Sequence, residues 1–153
     1  MKKILSIVLF GLVSSMAYSA DKLTLQLQWV TQAQFAGYYV ALDKGYYNDE
    51  NLNVTIKPGA PDISPPQVLA GGGADVMLNW MPSALAAREK GVPVVNIAQP
   101  FKSSGLMLTC WKDTGIRNPA DFRGKTIGVW FFGNEYPFLS LSLIHISEPT
   151  RLA

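Results

Sequence analysis

Cysteine and histidine are almost missing from this sequence: its 153 residues hold one of each, Cys110 and His145. A lone cysteine excludes a disulfide framework within the chain. With one histidine, no group of His, Cys and acidic residues has the spacing of a metal site. An excess of one charge is lacking too. The formal net charge of +2 is carried by Lys2 and Lys3, and the rest of the chain is neutral, so no basic patch is offered to nucleic acid or to an anionic membrane. The apolar run over residues 4–13 is interrupted by serines before it reaches the roughly 20 residues a membrane-spanning helix needs. Gly71-Gly72-Gly73 is not followed by Lys and Ser/Thr, which excludes a phosphate-binding P-loop and leaves a helix-ending turn. Cys110, in an apolar stretch, reads as a small buried hydrophobe.

What is present begins with two lysines, the apolar run, and then small residues at Ser14, Ser15, Ala17, Ser19 and Ala20. That order is a secretory leader over residues 1–20, which predicts a periplasmic protein. Residues 141–151 resemble the translation of a transposon adapter used in sequencing libraries. An adapter-derived tail is therefore expected over 141–153, which makes His145 foreign to the protein. What lies between is enough for one ordinary domain but not for two.

Apolar segments of about 5–8 residues alternate with longer mixed ones, as in repeating strand and helix units. Strands are predicted over 23–29, 52–56, 75–80, 93–98, 105–111 and 126–130. Helices are predicted over 35–47, closing near Gly45, and over 82–90, stopped by Gly91. A further helix starts at Ser64, with Pro65 in its first turn and Gln67 placed to complete a capping box. Residues 118–122 open another short helix. The simple alternation breaks after residue 103, so a crossing between lobes is placed at residues 99–104. The fold class is α/β with a largely parallel sheet.

Trp29, Trp80, Trp111 and Trp130 each close a predicted strand. Ligands of open α/β sheets sit beyond the carboxyl ends of the strands, so these indoles fall where a binding surface forms. A flat, partly polar ring stacks on other rings, which points to an aromatic or heteroaromatic ligand. Any one tryptophan is more often a core cap at a sheet edge. Together, and with Gln28, Gln34, Asn79, Gln99, Asn134 and Glu135 beside the same ends, they describe a ring site with orienting polar groups. Asp62, after the second strand, is a further candidate, although an ordinary turn aspartate has the same pattern.

Leu27-Gln28-Trp29, Phe35-Ala36-Gly37-Tyr38-Tyr39, Lys44-Gly45-Tyr46-Tyr47, Gly73-Ala74-Asp75 and the run from Asn118 to Val129 resemble ABC-transporter substrate-binding proteins of the thiamine-pyrimidine-precursor family. Residues 82–89 and 130–137 are similar to its riboflavin branch. The resemblance implies a type II periplasmic-binding fold whose two lobes close on a ring ligand and dock on a membrane permease. On that reading residues 21–101 belong to the first lobe and 102–140 begin the second, the fold being truncated. It also implies that Trp29, Phe35, Tyr38, Asp62, Trp80, Trp130, Asn134 and Glu135 face the cleft, with no cofactor. Pyrimidine-binding relatives tend to carry histidine in place of Phe35 and a Trp-x-Pro-Asn run in place of Trp29-Val30-Thr31-Gln32, differences that favour a larger, flatter ligand. Fungal members are thiamine pyrimidine synthases that consume pyridoxal phosphate and a histidine of their own chain. Without that histidine and the fungal cysteine-rich motif, the expectation here is a binder and not an enzyme.

Overall fold

A computed structural model describes residues 19–131 and 133–145; most of the leader expected over 1–20 and of the tail expected over 141–153 lies outside the described residues. The chain opens with strand β1 (Asp21–Gln26), followed by a 3-10 turn (Ala33–Phe35), helix α1 (Ala36–Asp43), helix α2 (Tyr46–Asp49) and strand β2 (Leu52–Lys57). Helix α3 (Pro65–Ala70), strand β3 (Val76–Met77), helix α4 (Met81–Glu89) and, much later, helix α5 (Tyr136–His145) complete it. Both strand pairs are parallel and the sheet order is β2-β1-β3. The class is thus α/β with a small parallel sheet, as the alternation of segments indicated.

Parallel strands are buried by the helices that cross over them, so the middle strand should be the most apolar on both faces. Leu25 and Leu27 of β1 and its extension join Phe35 and Val54 in the buried core, with Leu23, Tyr38, Tyr47, Leu52, Ile56 and Val76 packed around them. Leu27 is fully buried; removing such a side chain from water contributes roughly 1.5–3 kcal/mol. The helix over 35–47 is two helices, because Gly45 adopts φ +77° between them, a left-handed turn that costs glycine little. Asn51, at φ +58°, makes the turn into β2 with the residue type that best tolerates that conformation after glycine.

One polar side chain is sealed into this core. Gln26, 2% exposed, donates from Nε2 to the carbonyls of Leu27 and Pro58, each at 3.1 Å, with Lys57 O at 3.5 Å. The amide clamps the end of β1 to the chain leaving β2. Gln26→Glu, nearly equal in shape, points a carboxylate at carbonyl oxygens and is expected to cost roughly 3 kcal/mol at neutral pH. Burial raises the new carboxyl's folded pKa above its unfolded value, so the lost stability returns as pH falls below the unfolded value and is lost again as pH rises through the folded one. Denaturant melts at pH 7 and pH 4 check this; equal losses at both would show that Gln26 is not held as described.

Several expected elements are absent. Residues 93–98 and 105–111 are not strands, and 126–130 contributes only an isolated bridge at Ile127. Alternating side chains suit a strand, but a ladder exists only where a neighbour supplies the opposite hydrogen bonds. Among the described residues 93–98 and 105–111 have none, and Val95, Ile97 and Met107 stand 75%, 73% and 82% exposed. For the same reason Cys110 is exposed and not buried. At α3 the Ser64 side chain makes no cap hydrogen bond; its backbone carbonyl accepts from Gln67 and Val68 instead. The predicted helix at 118–122 is a 3-10 turn over Pro119–Phe122, closed by a complete capping box between Asn118 and Asp121. Helix α5 continues through residue 141 to its end at His145, across the start of the expected tail.

Candidate ring-binding site

In a sheet ordered β2-β1-β3 the chain passes from β1 to β2 and then crosses back past β1 to β3, so the strand order reverses between β1 and β3 and a crevice opens at their carboxyl ends. A cavity of about 210 Å³ lies there, lined by Gln28, Trp29, Gln34, Ile63, Trp80, Trp130 and Asn134. Gln28 and Trp29 come directly off β1. Trp80 follows β3 and is the N-cap residue of α4. Gln34 stands in the 3-10 turn before α1, and Ile63 in the turn before α3. Trp130 and Asn134 arrive from the loop ahead of α5.

Trp29 and Trp130 meet edge to face, with ring centroids 5.7 Å apart and planes at 90°, an arrangement the aromatic quadrupole favours. Trp29 also packs on the core, so its indole is anchored, whereas Trp130 is 52% exposed and forms the outer wall. What brings Trp130 here is the approach of its loop to α4. Gly133, at φ +107°, lies so close to Ser83 that an added Cβ would sit 2.9 Å from both Ser83 Cβ and Oγ. The Gly133 N–H donates to Glu135 Oε2 at 2.7 Å, tightening the same turn. Ser83 accepts from Asn79 Nδ2 at 3.1 Å, which ties the segment after β3 to α4.

The remaining sequence candidates take other places. Phe35 is buried in the core beneath the site. Tyr38 packs beside it, and partial burial, then the neighbouring Tyr47, raise its phenol pKa above the usual value. It stays a neutral hydrogen-bonding group throughout the physiological range. Asp62 is exposed in its turn. Asn79 and Glu135 serve the α4 contact just described, and Gln99 bonds the carbonyl of Phe101 at the surface. Trp111, the fourth of the strand-end tryptophans, is 83% exposed and apart from the other three. Sequence reasoning passed over Ile63, which carries no chemical signal.

A ring-sized space walled by three indoles, with amides at Gln28, Gln34 and Asn134, can stack a flat heterocycle and fix it by a few hydrogen bonds. Residues 32–143 match the family described as NMT1/THI5 like. A formylaminopyrimidine-binding protein of Halalkalibacterium halodurans is 30% identical over 108 residues, covering 71% of this chain and 33% of that protein. A putative thiamine biosynthesis protein of Haemophilus influenzae is 25% identical over 127 residues, 83% of this chain and 40% of its own length. The 4-amino-5-hydroxymethyl-2-methylpyrimidine phosphate synthase of Candida albicans is 31% identical over 72% of this chain and 33% of the synthase. The chain thus spans between a third and two-fifths of the length of these relatives.

These matches correct one expectation. A binder without catalysis was inferred from the sequence, yet several relatives between 27% and 32% identical bear the name of that synthase, an enzyme. Missing motifs in this chain weighed too heavily in that inference, because they were sought over a span that covers only part of the relatives' length.

Proposed function

Since this chain belongs to the NMT1/THI5-like family, we propose that its cavity holds a single heteroaromatic ring of the pyrimidine class. The observation that carries this reading is the convergence of Trp29, Trp80 and Trp130 on one small space at the carboxyl ends of β1 and β3. Its volume of about 210 Å³ falls below the roughly 300–1,000 Å³ usual for drug-sized ligands. The residue differences at Phe35 and after Trp29 speak for a larger, flatter ligand, while the space between the three indoles takes a single ring. The name of the Halalkalibacterium relative supports the same class.

Around this core stands the rest of the reading. The leader exports the protein to the periplasm, the chain supplies the first lobe and the opening of the second in a type II binding fold, and a closed, loaded cleft docks on an ABC-transporter permease. A second reading has its support in the synthase relatives: the same ring pocket then takes part in making the pyrimidine phosphate. Both require the ring to bind.

Titration with 4-amino-5-hydroxymethyl-2-methylpyrimidine, its formylamino analogue and riboflavin, followed by tryptophan fluorescence, tests the shared step. Saturable quenching by the pyrimidines, stronger than by riboflavin, is the expected result. No change with any of the three would overturn it, and tighter riboflavin binding would overturn the size argument. Incubating the protein with pyridoxal phosphate and iron, and assaying for pyrimidine phosphate, separates the two readings.

A further inference from the structure

Trp130 and Asn134 reach the cavity on either side of a position that the fold reserves for glycine. Gly133 is buried and holds φ +107°, a conformation that side chains with a Cβ rarely adopt. Space excludes a side chain there as well: a Cβ would meet Ser83 Cβ and Oγ at 2.9 Å, inside the roughly 3.5–4.0 Å at which unbonded carbon atoms pack. Ser83 lies in the first turn of α4, and Trp80, a wall of the cavity, is the N-cap residue of the same helix. From the other side Glu135, immediately before α5, accepts the Gly133 N–H at 2.7 Å, and its carbonyl accepts from Phe138 and Leu139 as α5 begins. Gly133 is thus fixed between α4 and α5, which touch one another. A half-exposed ring such as Trp130 is placed by its backbone more than by packing, and that backbone is anchored three residues on, at Gly133.

We propose that Gly133 is the positioning residue of the ring site: lacking a side chain, it lets the chain seat directly on Ser83, and that seat sets how close Trp130 and Asn134 stand to the walls supplied by Trp29 and Trp80. The inference rests on the ring-binding reading above, and it concerns a residue that does not line the cavity. Gly133 acts only through its neighbours. Stacking weakens steeply with distance, because dispersion contacts lose a quarter to a half of their strength when a gap of about 0.5–1 Å opens. A methyl group at position 133 must push the segment off α4 by a comparable amount, since Ser83 Cβ belongs to the helix and cannot rotate away.

The test compares wild type with Gly133→Ala, Ser83→Gly, the double variant and, as a reference, Trp130→Ala, all in the full chain. Two indoles 5.7 Å apart couple their electronic transitions, so the Trp29–Trp130 pair adds a circular-dichroism band, read as the difference between wild type and Trp130→Ala. Gly133→Ala should lose most of that band without any ligand. It should also bind 4-amino-5-hydroxymethyl-2-methylpyrimidine roughly 5- to 150-fold more weakly, as when a stacking ring is withdrawn. Removing the Ser83 side chain makes room for the added methyl. In the Ser83→Gly background Gly133→Ala should therefore cost at least about threefold less affinity, the coupling of residues in contact, and regain part of the band. Ser83→Leu presses on Gly133 from α4 and leaves its backbone alone; it should mimic Gly133→Ala, and takes its place if that variant fails to fold. A folded Gly133→Ala with the wild-type band or the wild-type affinity overturns the proposal. So does an equal loss with and without the Ser83 side chain, which assigns the effect to the backbone conformation at 133, and so does a wild-type spectrum equal to that of Trp130→Ala. If the pyrimidine fails to bind wild type, the ring-binding reading fails, while the band still decides whether Gly133 places Trp130.

Discussion

Gly59→Ala is expected to destabilise the protein by about 1–3 kcal/mol, the usual cost of forcing an extra carbon into a packed site. In a chain of this size each kcal/mol lowers the melting temperature by roughly 2–4 °C. A Cβ on Gly59 would lie 2.7 Å from Trp29 N, 2.8 Å from Leu27 O and 2.9 Å from Gln28 C. All three are backbone atoms, so no side chain can rotate out of the way. Beyond the last paired residues the two strands stay in register through Leu27 N–H to Lys57 O and Gly59 N–H to Trp29 O, at 2.8 and 2.9 Å. Relief of the clash must therefore move Gln28 and Trp29, and ring affinity should fall together with stability. Gly37→Ala makes the opposite case: Gly37 lies in α1 with open space where its Cβ would go, so alanine should stabilise by about 0.5–1 kcal/mol. Thermal melts of both variants decide the matter. If Gly59→Ala melts with wild type, the two strand ends are not packed as described.

Trp130→Ala should separate binding from stability. Its indole is half-exposed, and its visible contact is the edge-to-face pairing with Trp29, so the fold loses about 0.5–1.5 kcal/mol. As a cavity wall it would contribute about twice that to a stacked ligand. Removing a ring that stacks on a heterocycle costs about 1–3 kcal/mol, which is a weakening of roughly 5- to 150-fold. Trp29→Ala lacks this separation because Trp29 also packs on the core, and both its melting temperature and its affinity should fall. Isothermal titration beside calorimetric melts of the two variants gives the comparison. A Trp130→Ala protein that binds the pyrimidines like wild type would remove the outer wall from the site.

How far the sequence could be read depended on the range of each interaction. Local signals sufficed for β1, β2, α3 and α4, where period, proline placement and stopping glycines act within a few residues. Gly45 was legible as an end, but its left-handed turn also starts α2, a detail that periodicity across residues 35–47 concealed. The same local logic failed for 93–98 and 105–111, whose alternation fits a strand but which have no neighbour among the described residues to pair with. It failed again for Cys110, since burial was inferred from a strand that does not form.

The site shows the same division. By itself the sequence determined that the chain is α/β, that large aromatic and amide residues follow its strands, and that it resembles one family of heterocycle-handling proteins, because residue type and spacing along the chain carry that information. Only the tertiary structure decided that Trp29, Trp80 and Trp130 share one cavity while Trp111 stands apart, that Asn79 and Glu135 brace the α4 contact, and that the Gln28 side-chain oxygen is buried without a partner. These outcomes turn on strand order and on the close approach of Gly133 to Ser83, contacts between residues far apart in the chain, and no pattern within a single segment specifies which distant segment will meet it.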